Sequence, residues 1–286
     1  MKIISSVNEM ASFVKDAKSK AKSIGLVPTM GYLHQGHLSL IKEARVATDT
    51  VVVSIFVNPT QFEPGEDYAS YPRDMKRDAL EAEKAGADII FAPRAEQMYP
   101  ESYSTYVKVE GLSEALCGRN RPGHFRGVTT VCAKLFSIIK PDVAFFGQKD
   151  AQQSVIIQKM VTDLNMDIKL KVLPTVREPD GLAMSSRNKH LSSKQRKDAL
   201  VLHKALGQAK SVIEAGENDA AKIKQRMRNI INKVDSKIDY ISIVDPDSLK
   251  DVSIISGKVL IALAVWIGRA RLIDNIIAGR SVSLGR

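Results

Sequence analysis

Apolar positions in the first 176 residues alternate between two rhythms. Short apolar, often β-branched runs at 24–27, 50–57, 87–91, 142–146 and 168–173 fit strands covered on both faces. Between them, apolar residues recur at helical spacing. Leu38, Leu40, Ile41, Ala44 and Val46 follow the first run, and further helices are predicted over 72–85, 128–139 and 151–164. Pro72 opens the second of these, with Asp74 in its first turn. Such alternation predicts an α/β fold, a Rossmann-like, doubly wound parallel sheet. The rhythm breaks at 176–181, where Arg177, Glu178, Pro179, Asp180 and Gly181 stand together. Helical patterns then run from 193 to 234, and strand-like runs occupy 238–244, 258–265 and 271–277. The expected organisation is a first domain over 1–176 and a smaller C-terminal α+β domain over 177–286.

In a doubly wound sheet, ligands gather at the carboxyl ends of the strands. Three of the predicted strands are followed by short polar clusters. After the first come Met30, Gly31, Tyr32, Leu33, His34, Gln35, Gly36 and His37. The two histidines sit three apart at the mouth of a helix, whose free N–H groups and positive dipole end favour phosphate. Gly36 lets the backbone pass close to whatever the histidines face. The same spacing also serves a structural, hydrogen-bonded pair, and the motif alone leaves both readings open. Zinc is disfavoured, because the remaining His124, His190 and His203 have no metal-ligand spacing.

Asn58 and Gln61 follow the second run. Their uncharged amides suit a ligand with hydroxyls and a carboxylate, or an Asx turn. Gly147, Gln148, Lys149 and Asp150 open a helix. There Lys149 can neutralise phosphate, and Asp150 can cap the helix or accept from a ribose hydroxyl. Gln152 and Gln153 follow, and one of them can reach the same pocket. Met184, Ser185, Ser186 and Arg187 bring two hydroxyls and a guanidinium to a loop able to grip a triphosphate. The basic loop 119–127 fits either anion binding or a role in folding and subunit contact, and the structural role is favoured.

Composition narrows the partners. The 286 residues are 44% hydrophobic and 26% charged, which is ordinary for a globular protein of one or two domains. No apolar run reaches the roughly 18 to 20 residues a membrane span needs, and the first residues form no signal-peptide core. Cys117 and Cys132 make neither a disulfide framework nor a metal pair, so a cytoplasmic location is expected. Net charge is +10, and residues 177–286 carry 20 Lys and Arg against 12 Asp and Glu. That imbalance suits an RNA-binding module, or a domain that meets a polyanion such as ATP. The basic runs at 194–197 and 222–228 lack interleaved aromatics, so solvated helix faces are expected there and nucleic acid is not.

Taken together, PTMGYLHQGHLSLI, FVNPTQF, YPRD, RPGHFRGV, FFGQKDAQQ, PTVREPDGLAMSSRN and RLIDN, in this order and spacing, resemble the pantothenate synthetase (pantoate–β-alanine ligase) family from about residue 22 to 275. The resemblance implies a nucleotidylyltransferase-type Rossmann fold with a C-terminal lid. It implies ATP- and Mg²⁺-dependent joining of pantoate to β-alanine through a pantoyl adenylate, with release of AMP and pyrophosphate, and a homodimer. His34 to His37 then correspond to a HIGH-type motif and Met184 to Arg187 to a KMSKS-like loop. His34, His37 and Lys149 become the catalytic candidates. Met30 to His37, Gly147 to Asp150, Val176 and Met184 to Arg187 would bind ATP. Gln61 and Gln153, with Asn58 beside them, would hold pantoate. The Mg²⁺ ligands are unassigned, with Asp74 and Asp78 as candidates. Tyr32 stands where the family usually has Ala, and Cys117 where it often has Glu.

Overall fold

A computed structural model describes residues 1–279. The chain folds as two compact units. The first comprises Met1–Glu114, Gly118–Gln148 and Ile156–Pro174; the second comprises Ala115–Cys117, Lys149–Val155 and the chain from Thr175 onward.

In chain order the elements are β1 (Lys2–Ile4), α1 (Val7–Ser19), β2 (Ile24–Thr29), α2 (Gln35–Ala47), β3 (Thr50–Ile55), α3 (Met75–Ala85) and β4 (Ile89–Phe91). They continue with α4 (Ala95–Met98), α5 (Cys117–Asn120), α6 (His124–Ile139), β5 (Val143–Gly147), α7 (Ala151–Asp163) and β6 (Lys169–Leu173). The six strands form one parallel sheet in the order β1-β4-β3-β2-β5-β6. From β2 the order runs one way through β3, β4 and β1, and the other way through β5 and β6. The topological switch therefore lies between β2 and β5, where Gly25 pairs with Val143 and Leu26 with Ala144.

The expected doubly wound sheet is present. β1 and α1 precede the first anticipated strand. The β1 segment Lys2–Ile4 has only two apolar residues, too few to register as a pattern, and it is fixed by pairing with β4. The helix expected from Pro72 begins at Met75, because the Asp74 side chain accepts from Arg77 N–H and so caps the helix rather than entering its first turn. The helix expected from 128 begins at His124, after Gly123 turns the chain with φ of +87°. Val27, Leu38, Ile41, Ala44, Val51, Val53, Ile90 and Phe145 share one buried cluster, which fixes the faces of β2, β3 and α2.

The second unit carries α8 (Ser193–Asp198), α9 (Leu200–Glu214), α10 (Ala220–Ile231), β7 (Lys237–Val244), β8 (Val259–Ile267) and β9 (Ala270–Ala278). The strands form an antiparallel sheet in the order β7-β8-β9. Leu202, Leu206 and Ile213 of α9, and Ile223, Met227 and Ile231 of α10, bury against Ile241, Ile261, Leu263 and Val265. The apolar spacing of 3.6 residues on the helices thus meets alternation along the strands. Among the described residues, no helix is long and apolar enough to cross a membrane.

Candidate active site

The β2–α2 turn is built on its own histidines. His34 is the N-cap of α2, and its Nδ1 accepts from Gly36 N–H at 3.1 Å. His37 Nδ1 in turn accepts from His34 N–H at 3.3 Å, which completes a capping box made of two imidazoles. The rings are stacked, with centroids 4.0 Å apart. An Nδ1 that accepts leaves the proton of a neutral ring on Nε2, so each ring presents an N–H on the side away from the backbone it caps. The expectation of free N–H groups at the helix start is narrowed, since the His34 ring takes the Gly36 amide while His37 and Leu38 N–H bond to the His34 carbonyl. The imidazoles take the amides of His34 and Gly36, and their Nε2–H groups become the donors instead. Gly36 is required because a Cβ there would lie 2.9 Å from the His34 ring.

The turn before the histidines is held from α3. Gly31 has φ of +88° and Tyr32 φ of +50°, a left-handed conformation that a tyrosine adopts only under constraint. Asp78 supplies that constraint. It is 1% exposed, and its two carboxylate oxygens accept from Tyr32 N–H at 2.6 Å and Leu33 N–H at 2.7 Å. Arg77 donates to the Leu33 carbonyl at 2.7 Å and lays its guanidinium 4.8 Å from the centre of the Tyr32 ring. Burial raises the Asp78 pKa, against the pull of the Leu33 and Tyr32 amides and of Arg77. A buried carboxylate with both oxygens on backbone amides suits a turn-holder and not a metal ligand. Asp74 likewise caps α3. Among the described residues, no three His, Cys, Asp or Glu side chains form a metal-holding group.

Asn58 and Gln61 follow β3, the neighbour of β2. The Asn58 amide is buried and saturated. Its Nδ2 donates to Gln61 Oε1 and to the Gly127 carbonyl, both at 3.0 Å, and its Oδ1 accepts from Thr60 N–H and the Thr60 hydroxyl. Gln61 is thereby oriented, and its Nε2 lies 3.3 Å from Met30 Sδ. The basic loop reinforces this turn. Arg121 grips Glu66 with two hydrogen bonds of 2.7 and 2.6 Å, and donates to the Gln61 carbonyl at 3.3 Å. It also lies 3.2 Å from His124 Nε2. A guanidinium only donates, so His124 accepts there and gives its Nδ1–H to the Gln61 carbonyl at 2.8 Å. Arg121 and His124 of loop 119–127 thus brace the Gln61 carbonyl.

Gly147 ends β5, beside β2 across the switch point, and Gln148 follows it. In the first unit the sheet thus gathers Met30 to His37, Asn58, Gln61, Gly147 and Gln148 at the carboxyl ends of β2, β3 and β5. The other candidates belong to the second unit. Lys149 and Asp150 complete a 3₁₀ turn into α7, and Gln153 lies near that helix's start. Val176 accepts from Met184 N–H at 3.0 Å, closing a short hairpin. Ser185 then caps the 3₁₀ turn Ser186–His190 by accepting from Arg187 N–H at 3.3 Å.

Sequence reasoning passed over Asp78 as a turn-holder and over Glu66 altogether, and it gave Asp274 and Asn275 no role beyond their place in the RLIDN motif. Asp78 left a readable trace, since it shares the buried stripe of α3 with Ala82 and Ala85, where a carboxylate calls for partners.

A parallel sheet with a switch point, a histidine pair capping the helix beyond it and amides at the adjacent strand end define a nucleotide-binding α/β enzyme of the nucleotidylyltransferase type. The pantoate-beta-alanine ligase family profile matches residues 2–277. Pantothenate synthetases of Fervidobacterium nodosum and Moorella thermoacetica are 57% and 55% identical to the chain, each over 97% of it and over 99% and 98% of their own lengths. The crystal structure of pantothenate synthetase from Thermus thermophilus superposes with a TM-score of 0.92 at 44% identity, covering 96% of this chain and 99% of that one. The pantoate-beta-alanine ligase from Francisella tularensis, complexed with beta-gamma ATP and beta-alanine, gives 0.80 at 34% identity over 97% of both chains. The chain belongs to the pantoate-beta-alanine ligase family, and it is a carbon–nitrogen ligase.

Proposed function

We propose that the protein condenses pantoate with β-alanine in two steps, with ATP as co-substrate and a pantoyl adenylate between them. The observation that carries this reading is the imidazole pair, whose Nδ1 atoms are occupied by capping and whose Nε2–H groups are thereby set as donors. A carboxylate resists attack by an amine, so its oxygen first attacks the α-phosphorus of ATP. The phosphorus–oxygen bond to pyrophosphate breaks, and a mixed anhydride forms. His34 and His37 stabilise the negative charge that builds on the α-phosphoryl oxygens. Lys149 meets the charge of the departing pyrophosphate. The free amine of β-alanine then attacks the acyl carbon, the carbon–nitrogen bond forms, and AMP leaves with one oxygen that came from pantoate.

Met30 to His37, Gly147 to Asp150, Val176 and Met184 to Arg187 take the nucleotide. Gln61 and Gln153 hold pantoate, while Asn58 acts by fixing the Gln61 amide. Aligned reactants gain about 7 to 11 kcal/mol from proximity, which makes the rigid hold on Gln61 and on the 30–33 turn part of the rate. Among the described residues no three His, Cys, Asp or Glu side chains gather as a metal cage; a Mg²⁺ escorting ATP would be held chiefly by the triphosphate, with one or two carboxylates at most from the chain, and would offset the charge of the leaving pyrophosphate. A homodimer is part of the same proposal, and sedimentation equilibrium tests it.

The adenylate is tested with pantoate labelled by ¹⁸O in its carboxylate. One label transferred to AMP per pantothenate supports the adenylate, and unlabelled AMP rejects it.

A further inference from the structure

Two consecutive residues of β9, Asp274 and Asn275, are buried polar groups at 2% and 5% exposure, in a sheet whose core-facing side packs mainly aliphatic side chains. Successive strand residues face opposite ways, so the pair reaches two different segments. Asn275 donates its Nδ2–H to the carbonyl of Lys149 at 2.9 Å. Asp274 takes both ends of the Arg177 guanidinium, at 2.7 and 3.0 Å, and also accepts from the Asn275 backbone N–H at 2.8 Å. Arg177 passes the restraint on by donating to the Gly181 carbonyl at 3.0 Å. Gly181 lies at the tip of a hairpin in which Arg177 pairs with Ala183 and Met184 N–H returns to the Val176 carbonyl. That hairpin delivers Ser185 and Arg187.

We propose that Asp274 and Asn275 are positioning residues for nucleotide activation, fixing at once the main chain of Lys149 and the hairpin that presents Ser185 to Arg187. The assignment rests on the reading that these two segments grip the triphosphate. A lysine ammonium at the end of four methylenes is directed only as well as its backbone is fixed, and the Asn275 amide fixes it. A loop with two hydroxyls and a guanidinium is useful only when its base is rigid. The Asp274–Arg177 fork makes it so. A buried amide and a buried carboxylate on adjacent strand positions give the sheet nothing that two aliphatic side chains would not give more cheaply.

The test is a double-mutant cycle on the rate of pyrophosphate formation from ATP and pantoate. Asn275→Ala is expected to slow that rate about 10- to 100-fold and to raise the KM for ATP, with the KM for pantoate unchanged. In a Lys149→Ala background, which keeps the carbonyl but removes the ammonium, the same change is expected to cost less than about twofold. A full, multiplicative loss in that background would show a merely structural residue and overturn the proposal. Lys149→Ala with wild-type kinetics would overturn the reading of Lys149 itself, a separate outcome. Should Asn275→Ala fail to fold, Arg177→Lys serves, because it keeps the charge and loses the fork. It is expected to lower the same rate, non-additively with Arg187→Ala, and an unchanged rate would overturn the Asp274 arm.

Discussion

Replacing Asp78 by Asn keeps the shape of a buried side chain and removes one of its acceptors. The carboxylate holds Tyr32 N–H and Leu33 N–H at 2.6 and 2.7 Å, whereas an Asn oxygen can hold one of them and turns its NH₂ towards the other. An unpaired buried N–H is worth about 1 to 3 kcal/mol. Tyr32, at φ of +50°, stores about 1 to 2 kcal/mol that the lost bond no longer restrains. Against this, the variant no longer buries a charge. Burial is the largest influence on Asp78 and lifts its pKa above the ordinary 3.8. A carboxyl raised in the folded state contributes stability below its ordinary value and loses it as pH rises through the raised one. The opposed effects leave a net stability change of about 0 to 2 kcal/mol near neutral pH, so Asp78→Asn folds. The rate behaves differently, because a 1 Å relaxation of the turn that leads to His34 costs about 100-fold.

Rapid-quench measurement of pyrophosphate from ATP and pantoate, run beside thermal melts from the ordinary Asp value of 3.8 upward in pH, separates the two effects. The rate deficit should grow as pH rises through the raised Asp78 pKa and the wild-type carboxyl ionises. The stability advantage of wild type should shrink over the same rise in pH. An Asp78→Asn enzyme with wild-type single-turnover kinetics at neutral pH would refute the turn-holding role.

Other perturbations test other joints. His37→Ala removes both an Nε2–H donor and the cap on His34 N–H, and should lower adenylate formation about 100- to 1,000-fold with a near-native circular dichroism spectrum. Asn58→Ala removes the bonds to the Gly127 carbonyl and to Thr60 and frees Gln61. It should destabilise by about 2 to 4 kcal/mol in urea unfolding and raise the KM for pantoate more than that for ATP. Burial works to raise Glu66, but hydrogen bonds and charge from Arg121 overcome it and hold the carboxyl below 4.5. A depressed carboxyl contributes stability above its ordinary value and loses it as pH falls through the depressed one. Arg121→Met should therefore lower the melting temperature at pH 7, by the equivalent of about 2 kcal/mol, and the gap to wild type should close under acid.

The sheet was legible because its strands are buried on both faces. Runs such as 50–57 then carry no polar interruption, and strand ends stand out as the places where polarity returns. That contrast alone led to His34, His37, Asn58, Gln61 and Lys149. What it could not convey is who holds whom. Asn58 reads as a ligand from its type and place, yet its four hydrogen bonds are taken by Thr60, Gln61 and Gly127, because α6 brings the Gly127 carbonyl against it. The partners of the 30–33 turn come from 45 residues further along, on α3, and those of Lys149 from 126 residues further along, on β9. Pairings at that separation are set by sheet order and helix packing, which no local pattern encodes. The histidine cap was half legible. Two imidazoles at a helix mouth were plain, but their service to each other's backbone depends on rotamers that only the folded turn selects.

The most direct measurement is pyrophosphate and AMP formation by the protein with ATP, Mg²⁺ and pantoate, with and without β-alanine. Pantoate alone should release about one pyrophosphate per site and almost no AMP, as expected when a bound adenylate waits for the amine. Adding β-alanine should start steady release of AMP and pantothenate in equal amounts. No pyrophosphate until β-alanine is present, or none with pantoate at all, would contradict a two-step ligase built on the histidine pair.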